Sequence, residues 1–158
     1  MTDGRAKKDI VVLGLGNPLM SDEGIGPAII EQFYKHTEDY PLIDFIDAGT
    51  GGISILHLIA NRRKAIFIDC AYMGAKAGTI RKFGPREVKS VKKLAHQSLH
   101  EIDILNIISM SKKLDQQPKN IVIFAIEPEN TNLGQALSET LASEMNNYIT
   151  VISQELTV

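Results

Sequence analysis

The sequence contains no tryptophan and a single cysteine, Cys70. One thiol cannot close an internal disulfide, so the fold has to be held by its core, and the class of small disulfide-stapled secreted domains is excluded. No apolar run approaches the roughly 20 residues that a membrane-spanning helix needs, which argues against membrane insertion. Neither sign of charge dominates: 17 Lys and Arg stand against 19 Asp and Glu, for a formal net charge of −2. A chain so balanced shows no electrostatic footprint for nucleic acid. The N-terminal MTDGRAKKD is charged and no apolar core of a secretory leader follows it, so the expected location is the cytoplasm. HExxH, a CxxC pair and the GxSxG nucleophile elbow are all missing, and with them the commonest hydrolase signatures.

What is present begins with Asp9 to Ile30, DIVVLGLGNPLMSDEGIGPAII. Ile10 to Leu15 is a short apolar run rich in β-branched residues, the pattern of a strand covered on both faces. Gly14, Gly16, Asn17 and Pro18 break that pattern. Asp22, Glu23, Gly24 and Gly26 then lead into a helical periodicity through Ile25, Ala28, Ile29 and Phe33. The stretch therefore reads as strand, loop and helix, with two adjacent carboxylates at the junction.

The alternation continues. Leu42 to Ala48 is a second strand with Asp47 near its end, and Ile53 to Ile59 a short helix. Ala65 to Cys70 is a third buried strand ending on Asp69, and Thr79 to Phe83 is predicted as an edge strand because Arg81 and Lys82 are charged. Ser98 to Leu114 has helical spacing, with Ser98 and Glu101 forming a capping-box pattern. Ile121 to Ile126 is a further strand, and Leu133 to Tyr148 reads as a closing helix through Leu137, Leu141, Met145 and Tyr148. With 158 residues, the chain is expected to form one domain over 1–158, with 1–8 a flexible N-terminus. The fold class expected is α/β: an open, mostly parallel twisted sheet with helices on both faces.

In such a sheet ligands collect beyond the C-terminal strand ends. Parallel strands would bring Glu23, Asp69 and a histidine from the 96–100 region to one edge. Two carboxylates and an imidazole suit a borderline transition metal; the same residues could act as general acid and base without one. Each also has a plainer role. Acids at Asp22 and Glu23 complement a helix N-terminus, and Cys70 behaves as a small buried hydrophobe. His57 packs or caps its short helix, and His36 is a solvated helix-end residue. Asp69 is more telling, because an apolar strand rarely closes on a carboxylate that has no partner. A dinucleotide site is disfavoured, since Leu19 stands where GxGxxG needs its third glycine.

Four motifs carry a resemblance. Gly14-Leu15-Gly16-Asn17 followed by Asp22-Glu23-Gly24-Ile25-Gly26 is similar to the opening GxGNxxxxDEGxG of the hydrogenase maturation endopeptidases. Asp47-Ala48-Gly49-Thr50-Gly51-Gly52 resembles that family's D-G-G-T-x-G, with Ala48 in place of its first glycine. Ile68-Asp69-Cys70-Ala71 resembles its V-D-A, and Ser98-Leu99-His100 its S-x-H. The resemblance implies an α/β sandwich and a protease that removes the C-terminal extension of a [NiFe] hydrogenase large-subunit precursor after nickel insertion. It implies Glu23, Asp69 and His100 as the metal-binding and catalytic residues, sensing nickel supplied by the substrate. Asp47 would be a further site residue that positions substrate or proton. The implied partners are the nickel-loaded precursor and a maturation chaperone, with no nucleic acid. His96 lies four residues before His100, so the two compete for the same role. Peptidyl-tRNA hydrolases share the GLGNP opening, but their Thr-Arg-His-Asn segment is missing here. A non-catalytic nickel-binding scaffold for the precursor is the remaining alternative.

Overall fold

The computed structural model describes residues 5–87 and 99–157, with the side chains of residues 99–103 outside that description. Five strands form the sheet: β1 (Ile10–Leu15), β2 (Ile43–Gly49), β3 (Lys64–Cys70), β4 (Ile80–Phe83) and β5 (Asn120–Ile126). The described helices are α1 (Ile25–Tyr34), α2 (Ser54–Ile59), α3 (Leu99–Lys113), α4 (Glu139–Ser143) and α5 (Met145–Ser153). The spatial order is β2-β1-β3-β5-β4. β1, β2, β3 and β5 run parallel, and β4 pairs antiparallel to β5 at the margin.

All six residues of β1 are buried, as a continuous apolar run inside a doubly covered sheet requires. Successive side chains point to opposite faces, so the run feeds two cores at once. Ile10 and Val12 join Ile29 and Phe33 of α1 and Tyr148 and Ile152 of α5. Val11 and Leu13 join Ile55 and Ile59 of α2 and Ile104 and Ile107 of α3. Helices thus cover both faces, as the alternation of apolar runs predicts. Arg81 and Lys82 are exposed on the edge strand β4, where charge discourages a further strand from adding.

From β1 the chain crosses by α1 to β2, then returns by α2 to β3 on the other flank of β1. The chain leaves β1 for β2 on one flank and leaves β3 for β4 and β5 on the other, so the two connections diverge. That reversal opens a crevice beyond the C-terminal ends of these two strands.

The expected closing helix from Leu133 to Tyr148 is not formed as one element. Helix begins only at Glu139, and α4 and α5 meet at Glu144. One tertiary bridge and one local cap set the preceding residues apart from the helix. Gly134 makes an isolated parallel bridge with Met20, and the Ser138 hydroxyl accepts from the Leu141 N–H as the N-cap of α4. The apolar spacing nevertheless reports packing: Leu141 and Tyr148 are buried in the α1-side core, with Leu137 and Met145 packed against it.

Candidate active site

The loop after β1 is shaped by backbone contact. Gly16 has φ +132°, a conformation open mainly to glycine, and a β-carbon there would collide with the carbonyl of Glu23. One on Gly26 would lie 2.7 Å from the Leu15 nitrogen and 2.8 Å from the Ile68 carbonyl oxygen. The glycines therefore let the start of α1 lie directly on the ends of β1 and β3. Their work here is close packing of chain on chain.

This approach carries a short 3-10 turn, Ser21–Gly24, over the crevice. Glu23 is half-buried on it. Its carboxylate makes no hydrogen bond or ion pair among the described residues. Asp69, at the end of β3, is 2% exposed, and its Oδ1 accepts the Cys70 N–H at 2.9 Å. Along β3, Ala65 and Phe67 face the α2 and α3 core, and Asp69 continues that face. Cys70 points to the other side, into the α1 core.

The charges converge around Cys70. Burial pushes its thiol well above the usual cysteine range, and the carboxylates of Asp69, Glu23, Asp22 and Glu127 push it further in the same direction. Four acids therefore lie close enough to act on one sulfur. The thiol is held protonated and is a poor nucleophile. Cys70 is the buried, inert residue that its sequence context suggests.

Asp47 lies elsewhere on the same edge. Gly14 pairs with Asp47 on one side and with Ile68 on the other, so β1 separates Asp47 from Asp69 by two strand spacings, about 10 Å. Asp47 also continues the face of Ile43 and Phe45, towards α1, opposite to that of Asp69. It is exposed, and its Oδ1 accepts the Gly49 N–H at 3.0 Å. It lines a cavity of about 410 Å³ with Pro18, Gly24, Glu31, Tyr34 and Leu137. Asp47 and Glu31 give that cavity an acidic wall, and Gly24, the residue after Glu23, is also part of its lining.

His100 falls in the first turn of α3, one turn before Ile104. The chain continues from α3 into β5, so this end of the helix lies at the C-terminal edge of the parallel strands, the edge that carries Asp69. The His100 side chain lies outside the described part, as do His96 and the Ser98 cap. Among the described residues no three His, Cys, Asp or Glu side chains group closely enough to hold a metal ion. Of the expected metal-binding set, Glu23 and Asp69 are the two whose side chains are described.

Two buried acids have roles that the sequence does not give them: it suggests a complement to the helix N-terminus for Asp22 and only a loop position for Glu127. Asp22 is 0% exposed and accepts the backbone N–H groups of Glu129, Asn130 and Ser138. Glu127, 6% exposed, accepts the Met73 N–H at 2.5 Å and so holds the loop after β3. Only its position after the apolar run of β5 could have marked Glu127, and nothing local to Asp22 points to partners more than 100 residues away.

Comparison with known proteins agrees with this architecture. Residues 27–155 match the family model of the hydrogenase maturation protease HycI, a span that includes Asp47, Asp69 and His100 and begins after Glu23. The delta subunit of the coenzyme F420 hydrogenase of Methanothermobacter thermautotrophicus is 28% identical over 95% of this chain and 96% of its own length. The hydrogenase 2 maturation protease of Escherichia coli K12 is 28% identical over 84% of this chain and 80% of its own. The chain spans only 56% to 62% of the length of several other curated relatives. In structure, the hydrogenase maturating endopeptidase HybD of E. coli superposes with a TM-score of 0.81 at 24% identity, over 93% of this chain and 91% of that one. The sheet order, the glycine-packed crevice and the family match together make this chain a member of the hydrogenase maturation protease family.

Proposed function

We propose that this protein is an endopeptidase that removes the C-terminal extension of a [NiFe] hydrogenase large-subunit precursor once nickel has been inserted. One observation carries the reading. Glu23 and Asp69 arrive from separate elements at the crevice between β1 and β3, close enough for both to bear on Cys70. Family membership supplies the reaction class. Relatives bear names such as hydrogenase 2 maturation protease, which supports a hydrogenase precursor as the substrate kind.

In this reading nickel belongs to the substrate, and Glu23, Asp69 and His100 meet it there. Two hard carboxylate oxygens and one imidazole match what a borderline divalent ion accepts when its remaining positions are filled by another protein. Among the described residues no hydrogen bond or ion pair holds the Glu23 carboxylate, which leaves it open to a ligand. Asp69 is held by the Cys70 N–H and cannot swing away. Two acids in different settings, one half-buried and one buried and hydrogen-bonded, allow recognition and proton transfer to be divided between them. Asp47, on the far side of β1, would contact the polypeptide near the cavity it lines. The substrate is a folded protein, so binding draws on the surface around the crevice as well as on the crevice, with a maturation chaperone as a further partner.

The test is mass spectrometry of a large-subunit precursor incubated with this protein, with and without nickel loaded. Loss of a C-terminal fragment from the nickel-loaded precursor alone is the expected result. A precursor that binds but stays intact in both states would establish a scaffold. One that neither binds nor is cut would overturn the proposal.

A further inference from the structure

The half-buried carboxylate of Glu23 has no side-chain partner to hold it among the described residues, so its place is set by the backbone of its turn. That turn is itself anchored from a distance. Asp22, its neighbour, is fully buried and takes three backbone N–H groups, from Glu129 at 2.9 Å, Asn130 at 2.9 Å and Ser138 at 2.8 Å. Backbone bonds continue the seam: Asp22 N–H to the Asn130 carbonyl at 3.0 Å, Ser21 N–H to the Gly134 carbonyl at 2.8 Å, and Gly134 N–H to the Leu19 carbonyl at 2.8 Å. The Ser21 hydroxyl donates to the Asn132 carbonyl at 2.8 Å. Ser21 has φ +52°, a left-handed conformation that a non-glycine residue keeps only where its surroundings over-determine it.

An acid at a helix start ordinarily caps its own helix or complements its dipole. Asp22 does something different. All three of its bonds leave the turn for a segment more than 100 residues later, and the N-cap of α1, Gly24, makes no side-chain cap bond. Full burial of a carboxylate is tolerated because three N–H donors satisfy it. The cost of misplacing one of them falls on the turn.

We infer that Asp22 is a positioning residue that ties the Glu23 turn to the 129–138 segment, so that Glu23 and the loop after β5 are held as one piece. This rests on Glu23 being a working acid of the proposed protease. Asp22 touches no substrate; it acts through the backbone of residue 23.

The experiment has two readouts on the full-length protein. In Asp22→Asn, one acceptor oxygen becomes an NH2 group facing a backbone N–H. Amide hydrogen exchange should quicken at Glu129, Asn130 and Ser138 while β3 and β5 keep their protection. Cleavage of the nickel-loaded precursor should lose about 100-fold in kcat with KM unchanged, the effect of a displaced catalytic group. Ser138→Pro compared with Ser138→Ala gives a milder perturbation should Asp22→Asn fail to fold. Both remove the hydroxyl that caps α4, but only proline removes the N–H, and the Ser138 φ of −58° already suits it. Proline should fall well below alanine in kcat. Unchanged exchange overturns the tie, and a loss confined to KM overturns positioning through Glu23. A wild-type protein that cuts no precursor brings down the functional reading, and the exchange arm still decides whether Asp22 joins the two segments.

Discussion

Gly14 and Gly26 meet backbone to backbone: a β-carbon on Gly14 would lie 2.5 Å from the carbonyl oxygen of Gly26. That contact lays the N-terminus of α1 on the sheet and sets the depth of the crevice. Gly26→Ala should therefore destabilise the protein by about 1–3 kcal/mol, the usual cost of overpacking. For a chain of this size, each kcal/mol lowers the melting temperature by roughly 2–4 °C. Gly52→Ala is the comparison, since space around that glycine is open and only its φ of +72° opposes a side chain. Melting of Gly26→Ala at or above the Gly52→Ala temperature would show that the helix can lift without penalty.

Glu23→Gln, Asp69→Asn and His100→Ala should each cut processing of the precursor by at least about 100-fold, the lower range for loss of a general acid or base. Circular dichroism should show the fold retained. His96→Ala should be far milder. Full activity in the first three variants, at normal stability, would remove these residues from the site, and a lethal His96→Ala would exchange the two histidines.

Cys70 should resist alkylation by a thiol reagent at neutral pH in the native protein and react fully once unfolded. Burial and four neighbouring carboxylates keep the thiol protonated and covered, and the thiolate is the reacting form. Rapid labelling of the native state would mean that the crevice opens down to β3.

Glu155 links the C-terminal end to the sheet. Its carboxyl is held below the ordinary glutamate value by hydrogen bonds from Lys64, at 2.8 Å, and from Lys82, against the opposing effect of burial. A depressed acid stabilises the fold above its unfolded value and loses that contribution as pH falls through its folded one. Glu155→Gln should therefore cost about 1 kcal/mol at neutral pH. The gap to wild type should begin to narrow near about pH 4.3 and close below it, as read by denaturant titration across pH. A difference independent of pH would mean that packing, not charge, accounts for the loss.

The strands were legible because each is a short apolar run bounded by glycine or charge, and parallel strands covered on both faces leave little else for such runs to be. The helix after Leu133 was half legible. Leu137, Leu141, Met145 and Tyr148 do share a core, but nothing local says that Met20 captures Gly134 or that Asp22 captures Ser138. Asp22 and Glu23 look alike in sequence and differ wholly in environment, one fully buried and bonded, the other half-buried with no carboxylate partner among the described residues. Asp47 and Asp69 both end strands on one edge, yet strand order sets β1 between them and alternation turns them to opposite faces. Sequence gives each residue an edge; only topology gives it a side.

The seam between Ser21–Asp22 and residues 129–138 also dates the site in the life of the chain. Asp22 receives its last hydrogen bond from a residue 116 positions later. At roughly 5–20 residues per second of synthesis, the Glu23 turn waits on the order of ten seconds for the strand of chain that completes it. A nascent protein can therefore build β1, α1 and most of its sheet while the Glu23 turn is still unanchored, and the anchor arrives only with the loop that follows β5.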